Sequence, residues 1–230
     1  MKVIAISDLH GYLPTIEPFD LLLICGDVCP VQNHIRTYQE EWLSNEFAEW
    51  INGLPFNDTF SKVVMCAGNH DIIFDGLGKH KKKDWLSHIK DDRLVYLDNE
   101  EYEFLSNDGK TYKIFGCPYC KVFGNWAFMR ENLEKYYDFI PEKLDFLITH
   151  DSADIDNLGM ISLGRWKGEN AGNVILANYV NKVKPKYYFS GHIHSGRHEL
   201  KEIDGIKSAN VSIMDEYYYP SYLPLTLNIE

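Results

Sequence analysis

The sequence predicts an α/β fold with mixed sheets, and three observations carry that prediction. Short β-branched and aromatic runs alternate with segments of helical periodicity. Several of these runs are apolar at every position, as in strands covered on both faces. Two further pairs of runs are joined by Asp-Gly turns, which adds antiparallel hairpins to the parallel pattern.

In chain order, strands are expected at Val3–Ser7, Leu21–Cys25, Lys62–Cys66, Lys113–Gly116, Phe146–Thr149 and Tyr187–Ser190. A long helix is expected from Asn33 to Trp50, with Trp42, Phe47 and Trp50 recurring along it and Gly53 just past its end. Further helices are expected at Lys82–Ile89, Glu131–Phe139 and Asn173–Val183, the last stopped by Pro185, which cannot continue a helix. Asn107-Asp108-Gly109 joins Tyr102–Leu105 to Thr111–Phe115, and Asp204-Gly205 joins Leu200–Ile203 to Ile206–Ala209. No repeat or Pro/Gly/Ser-rich linker divides the chain, so a single domain over residues 1–230 is expected.

Composition narrows the function classes. The 230 residues are 45% hydrophobic and 25% charged, which excludes disorder, collagen and coiled coil. Lys and Arg number 23 against 34 Asp and Glu, a net charge of −11 that argues against broad nucleic-acid binding. No apolar run is long enough to span a membrane, and the first apolar run is too short for a signal peptide. The odd set Cys25, Cys29, Cys66, Cys117 and Cys120 reads as reduced cysteines, so a cytoplasmic protein is expected. Cys117-Pro118-Tyr119-Cys120 has redox or half-zinc spacing but no second pair, and reads as a loop.

The chemistry lies where the strands end. Val3–Ser7 runs into Asp8-Leu9-His10, Leu21–Cys25 into Gly26-Asp27, and Lys62–Cys66 into Ala67-Gly68-Asn69-His70-Asp71. Phe146–Thr149 runs into His150, and Tyr187–Ser190 into Gly191-His192-Ile193-His194. Ligands of open α/β sheets bind beyond such carboxyl ends. Carboxylates, imidazoles and one amide suit Mn, Fe, Zn, Co or Ni rather than a thiolate site. A carboxylate can bridge two cations, and two cations about 3.5–4 Å apart can clamp both oxygens of an in-line phosphoryl displacement.

These five blocks, in this order from residue 8 to 194, resemble the calcineurin-like metallophosphoesterase superfamily. Phe115-Gly116-Cys117-Pro118-Tyr119, Phe123-Gly124-Asn125-Trp126-Ala127-Phe128, the segment Tyr188–Gly196 and Asn210-Val211-Ser212 are further similar to its metallophosphoesterase-domain-containing (239AB-like) phosphodiesterase subfamily. The resemblance covers nearly the whole chain and implies a four-layer α/β/β/α sandwich of two mixed β-sheets. It implies two divalent metal ions, manganese foremost, one on Asp8, His10, Asp27 and His194 and the other on Asp27, Asn69, His150 and His192. It implies a phosphodiesterase acting on small or cyclic nucleotide diesters through a hydroxide shared by the metals, with Asp27 bridging and His70 near the scissile phosphate.

Around that set, Asn69, His70, Asn125 and His198 are expected to contact substrate, and Trp126 and Phe128 to pack in the core or face a base. His34, His80 and His88 read as surface or helix residues, and Lys79–Lys83 as a solvated basic face. Tyr217-Tyr218-Tyr219-Pro220 reads as a strand or extended coil over the core. A phosphomonoesterase would use the same metals. A protein phosphatase fits less well, because Gly26-Asp27-Val28-Cys29-Pro30 departs from the Gly-Asp-x-x-Asp-Arg-Gly of those enzymes. A nuclease is disfavoured by the charge, and a metal-free scaffold by the complete donor set.

Overall fold

The computed structural model describes residues 1–76 and 88–229. Nearly all of the helix expected at Lys82–Ile89, and the whole Lys79–Lys83 run, lie outside the described residues. In chain order the elements are β1 (Lys2–Ile6), β2 (Leu21–Cys25), α1 (Arg36–Trp42), a π-helical turn (Leu43–Phe47), α2 (Ala48–Gly53), β3 (Lys62–Cys66), β4 (Leu94–Leu97), β5 (Glu100–Leu105) and β6 (Thr111–Cys117). There follow α3 (Glu134–Tyr137), β7 (Phe146–Thr149), α4 (Val174–Val183), β8 (Tyr187–Ser190), β9 (Lys201–Ile203), β10 (Ile206–Asn210) and β11 (Leu225–Asn228).

The strands form two mixed sheets. One runs β11-β1-β2-β3-β4, parallel except for the antiparallel edge strand β11. The other runs β5-β6-β7-β8-β10-β9, with a parallel centre and an antiparallel strand at each edge. Side chains alternate across each strand, and the alternation sorts the apolar residues into three buried clusters. Val3, Ala5, Leu21, Leu23 and Val64 face Ile114, Phe146, Ile148 and Phe189 across the space between the sheets. Ile4, Ile6, Leu22, Ile24 and Met65 point the other way, onto Trp42, Leu43, Phe47 and Ile51 of the helical segment. Leu147 and Tyr188 of the second sheet point outward onto Leu176, Val180 and Val183 of α4. Three interfaces between four layers make the α/β/β/α sandwich.

The helix expected at Asn33–Trp50 forms, shifted to 36–53 and carrying a π-helical turn at its centre. Trp42 and Phe47 are five residues apart, a spacing that an α-helix turns onto different faces. The wider turn brings them onto one face with ring centroids 5.6 Å apart. Asn173 caps α4 by accepting the Leu176 N–H on its side-chain oxygen at 3.0 Å, and Lys184 ends it at φ +47° before Pro185. The Glu131–Phe139 pattern contracts to the single turn of α3. Both Asp-Gly hairpins form. Strands β4 and β11, absent from the sequence reading, are four residues each and only half buried, so they lack a continuous apolar run.

Phe146 is fully buried between the sheets and stacks on Tyr187 at 5.2 Å. Phe146→Ala is expected to cost about 3–5 kcal/mol in urea unfolding, and Leu227→Ala on the half-buried edge strand distinctly less. Equal losses would contradict this placement of the core.

Candidate metal centre

The carboxyl ends of β1, β2, β3, β7 and β8 meet at one edge of the sandwich. Short backbone bonds lock the exits together: Asp8 N–H donates to the Gly26 carbonyl at 3.0 Å and His10 N–H to the Asp27 carbonyl at 2.9 Å. From the second sheet, Gly191 N–H donates to the His150 carbonyl at 3.1 Å. The chain turns abruptly here. Asp8, His10, Asp27 and His192 all have φ between +46° and +68°, a strained region for residues with a Cβ. Gly191 is required for another reason, since a Cβ there would overlap Ser7 and the Asp8 carboxylate.

Two donor sets result. Carboxylate and imidazole atoms of Asp8, His10 and His194 lie within 4.8 Å of one another, and so do those of Asp8, Asp27 and His150. His10 Nε2 and His194 Nε2 are 3.1 Å apart, and His194 Nε2 is 3.4 Å from Asp8 Oδ1. Asp8 is common to both sets, and Asp27 Oδ2 of the second reaches toward the first, 3.8 Å from His10 Nε2 and 3.4 Å from His150 Nε2. Its other oxygen accepts the His70 N–H at 2.7 Å. Asn69 Oδ1 is 2.9 Å from His150 Nε2. The His192 ring lies 5.0 Å from that of His150, and the His192 backbone N–H donates to the Asp8 carboxylate at 3.1 Å.

Neighbouring carbonyls set the tautomers. His150 Nδ1–H donates to the Cys25 carbonyl at 3.0 Å, and His194 Nδ1–H to the Asp215 carbonyl at 2.9 Å. A carbonyl can only accept, so both imidazoles turn Nε2 to the cluster, the arrangement in which histidines hold metals. Nitrogen and oxygen donors buried this closely suit divalent cations. The residues therefore fit the two-metal group that the resemblance implies.

Electrostatics agree. Burial would raise the Asp8 carboxyl, but the His194 hydrogen bond and charge outweigh it and hold it at about 2. Asp27 is likewise held well below the carboxylate range, the charges of His150 and His70 prevailing over burial. Burial would lower His150 and His194, but Asp27 lifts the first to about 10 and Asp8 the second to about 9. His10 and His192 are pushed down to about 3, foremost by burial. The carboxylates 3.4 Å from Nε2 of His150 and His194 thus favour a positive charge at the positions where cations would sit.

A cleft of about 320 Å³ opens over the cluster, with Asp27, Asn69, His70 and His192 in its floor. Its walls include Phe123, Trp166, Lys121, Glu216 and Tyr218, none of which the sequence reading singles out as a site residue. The Tyr217–Pro220 segment is a tight turn rather than a strand, with Tyr218 at φ +62° and its N–H on the Asp215 carbonyl. That turn brings the Tyr218 ring to 4.9 Å from His10 and 5.1 Å from His194. Only the tyrosine run hinted at it.

Two expected substrate contacts lie elsewhere. Asn125 is exposed and is not among the residues lining the cleft. His198 donates Nε2–H to the His194 carbonyl at 3.0 Å and stacks on Tyr222, backing the metal cluster from outside the cleft. His34 is not a plain surface residue, because its Nε2 is 3.0 Å from His70 Nδ1. His88 is exposed, and His80 lies outside the described residues. Trp126 packs its ring 4.5 Å from that of His70, and Phe128 is buried in the core. Asp71 does not orient His70; its carboxylate accepts the Cys29 and Gly68 N–H groups at 2.8 Å each, stapling the β2 and β3 exits. Cys117 and Cys120 are buried free thiols, as are the other three cysteines.

The calcineurin-like phosphoesterase family model matches residues 1–196. The chain belongs to that family. Relatives include the protein C25E10.12 of Caenorhabditis elegans, a member of the UPF0046 group, 28% identical over 251 residues covering 100% of this chain and 81% of that one. A probable rhamnogalacturonate lyase C of Emericella nidulans is 26% identical over 210 residues, 85% of this chain, which spans only 17% of that protein's length. Among solved structures, a phosphopantetheinyl hydrolase of Mycobacterium tuberculosis shares the fold, with a TM-score of 0.52 at 14% identity over 92% of this chain and 88% of that one. The family is one of phosphoesterases, and the described Asp and His groups are placed so that they could hold metal ions. Among the described residues, no helix is long and apolar enough to cross a membrane.

Cations that take the Nε2 atoms of His150 and His194 must expel their protons. Calorimetry in buffers of different ionisation enthalpy is expected to show release of about two protons per chain near neutral pH, with affinity rising toward about pH 10. The sign is opposite for the metal-free fold. These raised values stabilise it fully below the unfolded histidine value of about 6.5, and that contribution is lost as pH rises through about 9 to 10. Metal binding without proton release would contradict the assignment.

Proposed function

We propose that the protein is a dinuclear-metal phosphodiesterase for small or cyclic nucleotide diesters. The observation that carries this reading is the pair of buried Asp/His donor sets, which have Asp8 in common and are spanned by Asp27 Oδ2 between His10 and His150, beneath a cleft of small-molecule size. Asp8, His10, Asp27 and His194 would hold one cation, and Asp27, Asn69, His150 and His192 the other, with Asp27 bridging. Manganese leads a series that includes Fe, Zn, Co and Ni, all compatible with mixed nitrogen and oxygen donors. When bound, the cations supply positive charge against the phosphate oxygens and acidify water for attack on phosphorus.

The chain's own residues do the rest. Asp27 Oδ1 holds the His70 backbone, and the Gln39 amide donates to the His70 carbonyl at 2.7 Å, so the imidazole is fixed at the cleft floor. From there His70 Nε2–H donates to the leaving oxygen as negative charge develops on it. Phe123 and Trp166, 56% and 52% exposed on the cleft wall, offer faces on which a planar base can stack.

The walls favour a diester over a monoester. Lys121 is the one cationic side chain among the described lining residues other than histidine, and its ammonium is already bonded to the Ala171 and Gly172 carbonyls. Glu216 adds a carboxylate. A monoester dianion gains no free cation from these walls, whereas a diester carries one negative charge fewer.

The manganese-loaded protein is expected to hydrolyse bis-p-nitrophenyl phosphate and a cyclic nucleotide faster than p-nitrophenyl phosphate. Asp27→Ala is expected to lose both metals and all activity. His70→Ala is expected to keep its metals and lose roughly 10²–10³ in kcat. A preference for the monoester would contradict the diester reading, and equal metal loss in the two variants would contradict the separation of roles.

A further inference from the structure

We propose that His34 is the positioning residue that fixes His70 in the tautomer carrying its proton on Nε2. The proposal rests on the reading above, in which His70 is a hydrogen-bond donor to the leaving oxygen.

A neutral imidazole donates from Nε2 only when its Nδ1 is unprotonated, and a buried acceptor nitrogen needs a donor facing it. The motif neighbour Asp71 is unavailable, because its carboxylate is occupied by two backbone N–H groups. The group that faces His70 Nδ1 is His34 Nε2, at 3.0 Å with the ring centroids 5.2 Å apart. A hydrogen bond between two neutral imidazoles holds one proton. On His34 Nε2, that proton leaves His70 Nδ1 as acceptor and puts the His70 proton on Nε2, toward the cleft. On His70 Nδ1, it leaves His70 with no proton to offer substrate.

The contact is built, not incidental. Asn33 Oδ1 accepts the Ile35 N–H at 2.9 Å, which shapes the turn carrying His34 into α1. The next turn of that helix grips the His70 loop, since Gln39 donates to the His70 carbonyl and accepts the Ile73 N–H at 2.9 Å. The Arg36 guanidinium donates to the Ile73 and Asp75 carbonyls at 3.2 and 2.8 Å. The Trp126 ring closes over both imidazoles, 4.8 Å from His34 and 4.5 Å from His70. The segments that carry His34 and His70 are thus tied together by these hydrogen bonds and ring contacts.

The test combines kinetics with a direct view of the proton. Two variants are compared with wild type on p-nitrophenyl and phenyl phosphodiesters: His34→Ala and His34→Gln. H34A is expected to keep metal content and KM and to lose about tenfold in kcat on the p-nitrophenyl ester. The loss grows on the phenyl ester, whose poorer leaving group needs the donor more. H34Q, whose amide N–H₂ reaches the place of Nε2, recovers most of the rate. Equal losses on the two esters, or H34Q as slow as H34A, overturn the proposal. In parallel, long-range ¹H–¹⁵N NMR of the diamagnetic zinc-loaded chain reads the His70 tautomer at mildly alkaline pH. A proton on Nε2 in wild type that is no longer fixed there in H34A supports the proposal, and a proton on Nδ1 in wild type overturns it. Inactivity of the wild-type enzyme on every ester would remove the phosphodiesterase reading instead, and the NMR result then decides the His34 question alone.

Discussion

The Asp27 carboxylate is the constraint around which the rest of the structure is arranged. Its oxygens are buried and charged, a state that costs several kcal/mol unless opposite charge and hydrogen bonds surround it. One oxygen takes the His70 N–H, and the other lies between His10 and His150. Satisfying that one group requires the exits of β1, β2, β3 and β7 to come together, which both sheets achieve by ending at the same edge. The left-handed turns at Asp8, His10, Asp27 and His192 are the conformational cost of that convergence.

The same constraint reconciles an acidic chain with the anionic ester proposed as its substrate. A net charge of −11 says little about the cleft, because the site's carboxylates face inward on histidines and on the positions of cations. A bound divalent ion is the largest local charge in such a site. Away from it the described lining residues are aromatic and nearly without free cations, which supports the proposal of a small ester over a polyanion.

Much of this was legible in the sequence, for identifiable reasons. Apolar runs such as Leu21–Cys25 and Phe146–Thr149 mark central strands because both faces are covered, and the Asp, Asn and His that follow them mark the ligand-binding edge. The structure brings Asp8, His10, Asp27, Asn69, His70, His150, His192 and His194 into one cluster. What sequence periodicity missed depends on contacts between distant segments. His34 lies 36 residues from His70 and has no local signal. Phe123, Trp166 and Tyr218 reach the cleft on irregular loops, where side-chain direction is set by the fold. Asn125, two residues after Phe123, is exposed and outside the cleft lining, whereas Phe123 lines it. The π-helical turn escaped an α-helical reading because its period is its own.

Anomalous diffraction from crystals of the manganese-loaded protein tests the shared-carboxylate centre most directly. The account predicts two peaks about 3.5–4 Å apart with Asp27 Oδ2 between them, one against His10 and His194 and the other against Asn69, His150 and His192. A single peak, or two peaks that do not share Asp27, would contradict it.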